Sequence, residues 1–308
     1  MIKKQILRIF ISTTVATALS ACNSEGDEPD IPGISGGPGR VSFKAVSYRP
    51  APGQFVNEMP AFEVGDTQQT IDTKALEALN RGSLVSLGAF GGQITLSLAS
   101  PIYHDAFAEA DFRVMGNSYI TGYKDDMPYG SSEPGIVEVM KDTNGNGLPD
   151  DEWYMFKGSM GGSMTYVTLT YRPVSNPSSS QWVEWTSQDG QSGYLTCNTA
   201  YHDHTYFPEW LFPDPETAEM TVNAWCLPAN GFKDETTGRF HQLCYPGYAD
   251  SFPNNDARSA FSLRDAVNAA GERGLDRVDF IRITTAVIDS NGPLGEASTE
   301  VGGIESLH

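Results

Sequence analysis

A polar segment between two predicted strands has the oxygen spacing of a calcium loop. Residues 142–152 (DTNGNGLPDDE) place side-chain oxygens at positions one, three, five and nine, a glycine at position six and a backbone carbonyl at position seven. An EF-hand loop wraps a hard cation in this order. Two departures are Trp153 at position twelve, where an EF-hand has its closing glutamate, and flanking sequences that are not helical. We predict a structural calcium site formed by Asp142, Asn144, Asn146, Leu148, Asp150 and Glu152. A plain Asn-Gly turn is the alternative.

Two histidines lie in an aromatic segment, residues 199–210 (TAYHDHTYFPEW). One residue separates them, so on a strand both imidazoles would point to the same face. Imidazole can coordinate a metal or act as an acid and base, and aromatic rings can stack on sugars or flat macrocycles. Packing of these rings against one another inside the protein is the alternative. We predict a ligand site formed by Tyr201, His202, His204, Tyr206 and Trp210.

Signatures of catalysis and of nucleic-acid binding are absent from the sequence. After the predicted strands there is no G-x-S-x-G segment and no G-x-G-x-x-G, and the sequence has no Walker A loop. The 39 Asp and Glu exceed the 20 Lys and Arg, for a net charge of −19, which repels phosphate backbones. We therefore predict no catalytic residue and no nucleic-acid partner.

The N-terminus has the features of an export signal. A basic start is followed by the apolar run 9–19, which is shorter than the roughly 20 residues of a membrane-spanning helix. Residues 19–22 (LSAC) resemble a bacterial lipobox, and the next residue, Asn23, is not the aspartate associated with inner-membrane retention. We predict a signal peptide at 1–21, acylation (palmitate) at Cys22, a flexible acidic tether over 22–40, and an outer-membrane location.

Three further cysteines, Cys197, Cys226 and Cys244, follow the predicted lipidation site. An exported compartment permits disulfides, and three thiols cannot all pair within one chain. The Cys226–Cys244 bridge is predicted because it closes the shortest loop, and the two pairings that use Cys197 stay open.

The hydrophobic pattern indicates a single all-β domain over residues 41–308. Short β-branched or aromatic runs bounded by turn residues predict strands at 83–87, 93–98, 111–115, 136–140, 153–157, 166–171, 182–185 and 278–285. Helical spacing occurs only at 73–79 and 262–269. We predict a jelly-roll-like β-sandwich with one or two short helices, and recognition in the long loops 116–135 and 200–220.

Five motifs resemble one family when they are taken together. They are GAFGG (88–92), SSEPG (131–135), DTNGNGLPDDEW (142–153), GYAD (247–250) and GEASTE (295–300). The set resembles the Bacteroidetes-type "cell surface protein" lipoproteins, which are often found beside TonB-dependent receptors and sometimes in vitamin B12 uptake loci. The resemblance covers about residues 50–308 and implies a surface address and a binding role, without a defined reaction.

These features favour a cell-surface, outer-membrane lipoprotein that binds a glycan or corrinoid for a TonB-dependent receptor. Two alternatives stay open. The first is an extracellular glycan-active hydrolase or lyase, which paired carboxylates converging in a cleft would favour. The second is an adhesion or structural surface module, which a flat, featureless surface would favour.

Overall fold

The computed structural model describes residues 38–175, 181–198, 200–202, 204–290, 292 and 295–308. Within these ranges the protein has 19 strands, one α-helix and four short 3₁₀ turns, so the all-β prediction is confirmed. The strands are β1 (Gly39–Arg40), β2 (Phe43–Arg49), β3 (Val85–Ser86), β4 (Gln93–Tyr103), β5 (Phe112–Met115), β6 (Tyr119–Lys124), β7 (Met127–Ser131), β8 (Gly135–Met140), β9 (Trp153–Met155), β10 (Thr165–Pro173), β11 (Val183–Ser187), β12 (Ser192–Leu195), β13 (Met220–Cys226), β14 (Gly231–Lys233), β15 (Phe240–Leu243), β16 (Ala260–Phe261), β17 (Arg277–Thr285), β18 (Glu300–Val301) and β19 (Gly303–Ser306).

The strands form four sheets of four or five strands and one pair. A five-stranded sheet has the order β2-β4-β17-β8-β9, the four-stranded sheets have the orders β1-β19-β5-β16, β12-β11-β10-β13 and β14-β15-β7-β6, and β18 pairs with β3. The sheets are arranged like the blades of a four-bladed propeller, and the predicted jelly-roll sandwich is not confirmed. The chain does not complete one sheet before starting the next, because β17 and β19 return to sheets that begin near residue 40.

The largest hydrophobic core lies against one face of the five-stranded sheet. Side chains alternate along a strand, so Ile281 and Ile283 of β17 enter this core while Arg282 faces the other way. The guanidinium of Arg282 pairs with the carboxylate of Glu138 on the neighbouring strand β8, at 2.7 Å. Phe112 and Phe261 of the β1-β19-β5-β16 sheet pack into the same core. Two sheets therefore share one apolar interior.

Helix α1 (Gln68–Arg81) covers part of this core and confirms the helix predicted at 73–79. Its buried residues, Ile71, Ala75, Ala78 and Leu79, recur at helical spacing. The hydroxyl of Thr67 caps the first turn, and Gly82, in a left-handed conformation, ends the helix.

The helix predicted at 262–269 is wrong. Only Leu263–Asp265 form a 3₁₀ turn there. The backbone of Val267 instead exchanges two hydrogen bonds with Met155, at 2.7 and 3.0 Å, so this stretch serves as a strand-like bridge beside β9. A backbone N–H used in a bridge is not available for a helical bond.

The predicted recognition loop 116–135 is a hairpin, formed by β6 and β7. Asp125 and Asp126 connect the strands with φ angles of 50° and 65°, the left-handed values that a tight hairpin turn requires. The Asp-Asp pair contains no glycine, so the sequence does not show the usual hairpin signal at this turn.

Gly39 and Arg40, at the end of the predicted tether, pair with β19 as a strand. The predicted signal peptide and Cys22 lie outside the described residues. Among those that the structure does describe, no helix is long and apolar enough to cross a membrane.

Candidate functional site

The predicted calcium loop connects two paired strands. Met140 of β8 lies opposite Trp153 of β9, so both ends of the loop are held by the five-stranded sheet. The carboxylate of Asp142 accepts hydrogen bonds from the backbone N–H of Gly145, at 2.7 Å, and of Gly147, at 2.9 Å. Both glycines have a φ of 74°, which L-residues rarely adopt, so the loop curls around the Asp142 carboxylate.

Asn144 and Asn146, the next predicted ligands, also accept hydrogen bonds from the backbone of the loop. The Asn144 Oδ1 accepts from the Asn146 N–H at 2.9 Å, and the Asn146 Oδ1 accepts from the Leu148 N–H at 2.7 Å. The side-chain amides of both asparagines donate to the carboxylate of Asp150, at 3.1 and 3.0 Å. Asp142, Asn144, Asn146 and Asp150 thus share one small, exposed loop. A donor set made of carboxylate, amide and backbone oxygens fits calcium, which prefers hard oxygen ligands.

Glu152, the predicted closing ligand, points elsewhere. Its Oε1 accepts from the Asn268 side-chain amide at 3.1 Å, and its Oε2 accepts from the Tyr154 hydroxyl at 3.2 Å. Asp151, which is not among the predicted ligands, turns back into the loop instead. Its carboxylate accepts hydrogen bonds from the hydroxyl and the backbone N–H of Thr143. Both lower the pKa of Asp151, and the bond from the hydroxyl has the larger effect.

The predicted aromatic ligand site is only partly assembled. Tyr206 is fully buried in a second core, and Trp210 packs against Tyr48, with ring centroids 6.0 Å apart. The Trp210 indole N–H donates to the Gln68 side chain at 3.0 Å. Tyr206 is therefore a packing residue, and Trp210, which is half-buried, contributes part of its surface to packing. Tyr201 is 82% exposed.

The two histidines converge with a carboxylate that no motif indicated. His202 Nδ1 lies 2.9 Å from Glu58 Oε1, and His204 Nε2 lies 3.9 Å from the same oxygen. One ligand atom from each residue falls within 4.8 Å of the others, which is compatible with a metal. Glu58 precedes His202 by 144 residues, so sequence spacing gave no signal for this contact.

The hydrogen bonds of His204 weaken the case for a metal at this position. Its Nδ1 accepts from the Tyr206 backbone N–H at 3.0 Å, so the ring proton must lie on Nε2. Nε2 then donates to the Gln54 carbonyl at 2.7 Å. A metal at Nε2 would require a proton on Nδ1, where it would oppose the Tyr206 N–H. The geometry therefore favours a neutral, rigidly held imidazole.

One face of this imidazole borders an open cleft of about 530 Å³. Trp182 and Thr205 line the cleft beside His204, and Pro173 and Pro215 form other parts of its wall. The volume falls in the range of small-molecule sites, about 300–1,000 Å³. His204, unlike the buried Tyr206, thus lies where a ligand could reach it.

Three of the family-like motifs meet in space at a carboxylate cluster, defined by Glu133, Asp250 and Glu300. One oxygen from each lies within 4.8 Å of the others. The Asp250 carboxylate accepts from the backbone N–H of Asn117, Ser118 and Glu300, each at 3.0 Å. Burial raises the pKa of all three groups, to about 8 for Glu133 and about 6 for Asp250, and nearby carboxylates raise the pKa of Glu133 and Glu300 further.

The burial of this cluster does not favour glycoside hydrolysis, in which two catalytic carboxyls flank the scissile bond of a bound sugar. Asp250 and Glu300 are each only 3% exposed, so a substrate could not pass between them. Carboxyls this close and this buried retain protons, and the cluster lends no support to the hydrolase alternative.

The predicted Cys226–Cys244 disulfide is not formed. Cys197, Cys226 and Cys244 are all free, and burial raises their pKa values to about 12, 11 and 11. Cys226 ends β13, opposite Thr165 of β10, whereas the Cys244 N–H donates to the Pro128 carbonyl on β7. The hairpin β14–β15 carries the chain from one sheet to the other, so the short loop does not bring the two thiols together.

The chain matches no protein-family model and no curated protein. The resemblance to surface lipoproteins therefore depends on the five motifs alone. Of these, the structure brings the acids of SSEPG, GYAD and GEASTE together in the carboxylate cluster.

Proposed function

We propose that this protein is a lipid-anchored protein of the outer membrane that captures a ligand at the cell surface for a TonB-dependent receptor. The observation that carries the proposal is the cleft of about 530 Å³ lined by Trp182 and His204. It offers an aromatic ring and an ordered imidazole to a molecule of sugar size. We also propose that the two sheets that share a core, β2-β4-β17-β8-β9 and β1-β19-β5-β16, pack as a jelly-roll-like sandwich.

We also propose that calcium bound to loop 142–152 stabilises the folded protein. Loop 142–152 gathers its oxygens through hydrogen bonds that span only two to six residues, so the unbound loop is already curled. Asp142 and Asp150 are the carboxylates of this donor set, and the Asp151 carboxylate holds the loop through its hydrogen bonds from Thr143. A cation bound only to the folded state would stabilise it by about 2.7 kcal/mol at a hundredfold excess over Kd.

The chemistry of the cleft favours a glycan over a corrinoid. Both nitrogens of His204 are engaged, with Tyr206 and with Gln54, so His204 offers no free lone pair to cobalt. Its ring and that of Trp182 still offer apolar faces, which suit the C–H face of a sugar. The net charge of −19 disfavours anionic ligands.

The proposal is tested with purified chain 23–308 by calorimetric titration against neutral oligosaccharides and cobalamin, in calcium and in EDTA. We expect binding that Trp182→Ala weakens about tenfold or more, as for a stacking contact at the centre of a site. Trp225→Ala, which removes a half-exposed tryptophan that does not line this cleft, is the matched control. Equal affinity in the Trp182→Ala variant, or no binding by the unaltered chain, would contradict the proposal.

A further inference from the structure

A second cleft borders the β12-β11-β10-β13 sheet and shares no lining residue with the cleft beside His204. Its volume is about 430 Å³, and Trp185 of β11 forms part of its wall together with Ile288. The same two residues also border a smaller cleft of about 200 Å³. Trp185 is half-buried, so its ring is only partly covered by the protein.

The position of the Trp185 ring is set by a glycine on the neighbouring strand. Trp185 pairs with Gly193 of β12, and a Cβ atom built at Gly193 would lie 2.6 Å from Cζ2 and 3.0 Å from Nε1 of the indole. Any side chain at residue 193 would therefore displace the ring. The indole lies across the strand and is held there before a ligand arrives, which lowers the entropy cost of binding.

Polar groups converge on the same cleft from the turn between β11 and β12. Gln188, Asp189 and Gln191 line it and are exposed. The turn is braced by a bond from the Ser187 N–H to the Gln191 carbonyl, at 2.8 Å, and by one from the Gln191 side-chain amide to the Asp189 carboxylate, at 2.9 Å. The cleft thus combines the aromatic rings of Trp185 and Tyr166 with a row of amide and carboxylate groups.

The charge of the cleft narrows the ligand class. Asp189 lines it, and no Lys or Arg occurs among the described residues that do so. Anionic ligands would meet a carboxylate without a compensating cation. A volume of about 430 Å³ accommodates a monosaccharide and its neighbouring linkage.

We propose that this cleft binds a neutral hexose unit of a glycan. The apolar face of the sugar stacks on Trp185, and its hydroxyls bond to the side chains of Gln188, Asp189 and Gln191. The site goes beyond the cleft beside His204, because the two clefts have different walls and different aromatic residues.

The test is calorimetric titration of chain 23–308 with maltohexaose, cellohexaose and mannohexaose, with a chondroitin sulfate oligosaccharide as the anionic comparison. We expect one neutral glycan to bind, and Trp185→Ala and Gly193→Ala each to weaken it about tenfold or more. Tyr103→Ala, which removes an exposed aromatic ring from β4, is the control and should change the affinity less than twofold. If Trp185→Ala fails to fold, the Gln191→Ala variant tests the cleft instead. Gln191 is exposed, so its substitution should weaken glycan binding and leave the melting temperature unchanged.

Trp182→Ala separates this inference from the proposed function. Weaker binding in Trp185→Ala supports the second cleft, whether or not Trp182→Ala also weakens binding. Full affinity in Trp185→Ala overturns the second cleft, and weaker binding in Trp182→Ala alone then supports the cleft beside His204. Binding of cobalamin alone, or of the sulfated glycan alone, also overturns it, although cobalamin binding would leave the proposed function standing.

Discussion

Glu296 is a buried acid whose neutralisation should alter the pH dependence of stability. Its side chain is 1% exposed, and its Oε1 accepts from the Gln54 N–H at 2.7 Å. Within the described part of the chain, its Oε2 has no hydrogen-bond partner. Burial, the largest cause, raises the pKa of Glu296 from 4.5 to about 7.

The size of the effect follows from this shift. Each pKa unit corresponds to about 1.36 kcal/mol, so the shift is worth about 3 kcal/mol. The folded protein holds the proton more tightly than the unfolded chain does. The contribution of Glu296 to the free energy of unfolding is therefore greatest below pH 4.5, falls as the pH rises, and is lost above about pH 7.

Glu296→Gln should remove this part of the pH dependence, because glutamine keeps an oxygen for the Gln54 N–H and carries no charge. The free energy of unfolding of both proteins should fall between pH 4.5 and pH 8. We expect this fall to be about 3 kcal/mol smaller in the variant than in the unaltered protein. Both proteins retain the decline that the carboxylate cluster causes, since the pKa values of Glu133, Asp250 and Glu300 are also raised.

Urea unfolding at a series of pH values, at constant calcium, measures this difference. Glu77→Gln, which neutralises an exposed carboxylate on α1, is the matched control and should follow the unaltered protein. A Glu296→Gln variant whose stability changes with pH as the unaltered protein does, within about 1 kcal/mol, would refute the assignment of a retained proton to Glu296.

Four further predictions concern the loop, the anchor, the core and the thiols. Asp142→Ala should abolish the rise in melting temperature that calcium gives relative to EDTA, and an equal rise in the variant would exclude the loop as the site. Cys22→Ala should prevent incorporation of labelled palmitate and release soluble protein; an unlabelled wild-type protein would show that no lipid is attached. Trp210→Ala should lower the free energy of unfolding by about 2–3 kcal/mol, because the ring packs on Tyr48, and an unchanged melting temperature would contradict a core role. Denatured chain 23–308 should titrate three free thiols without reductant, whereas one thiol would reveal a disulfide.

The sequence by itself determined the parts of this protein that depend on neighbouring residues. The strands at 93–98, 136–140, 166–171 and 278–285 were predicted, because alternating β-branched side chains bounded by turn residues favour an extended chain. The curled conformation of loop 142–152 also depends on residues that are close in the sequence. Its hydrogen bonds join residues two to eight positions apart, so spacing alone specifies them.

Only the tertiary structure decided which distant residues meet. Glu58 contacts His202 across 144 positions, and Glu300 reaches Asp250 across 50, because tertiary packing places their segments side by side. The same packing buried Tyr206 and half-buried Trp210, which in sequence look as available to a ligand as the exposed Tyr201 does. Burial and convergence depend on how sheets pack, and an aromatic residue or an acid has the same local pattern whether it faces a core, a cleft or solvent.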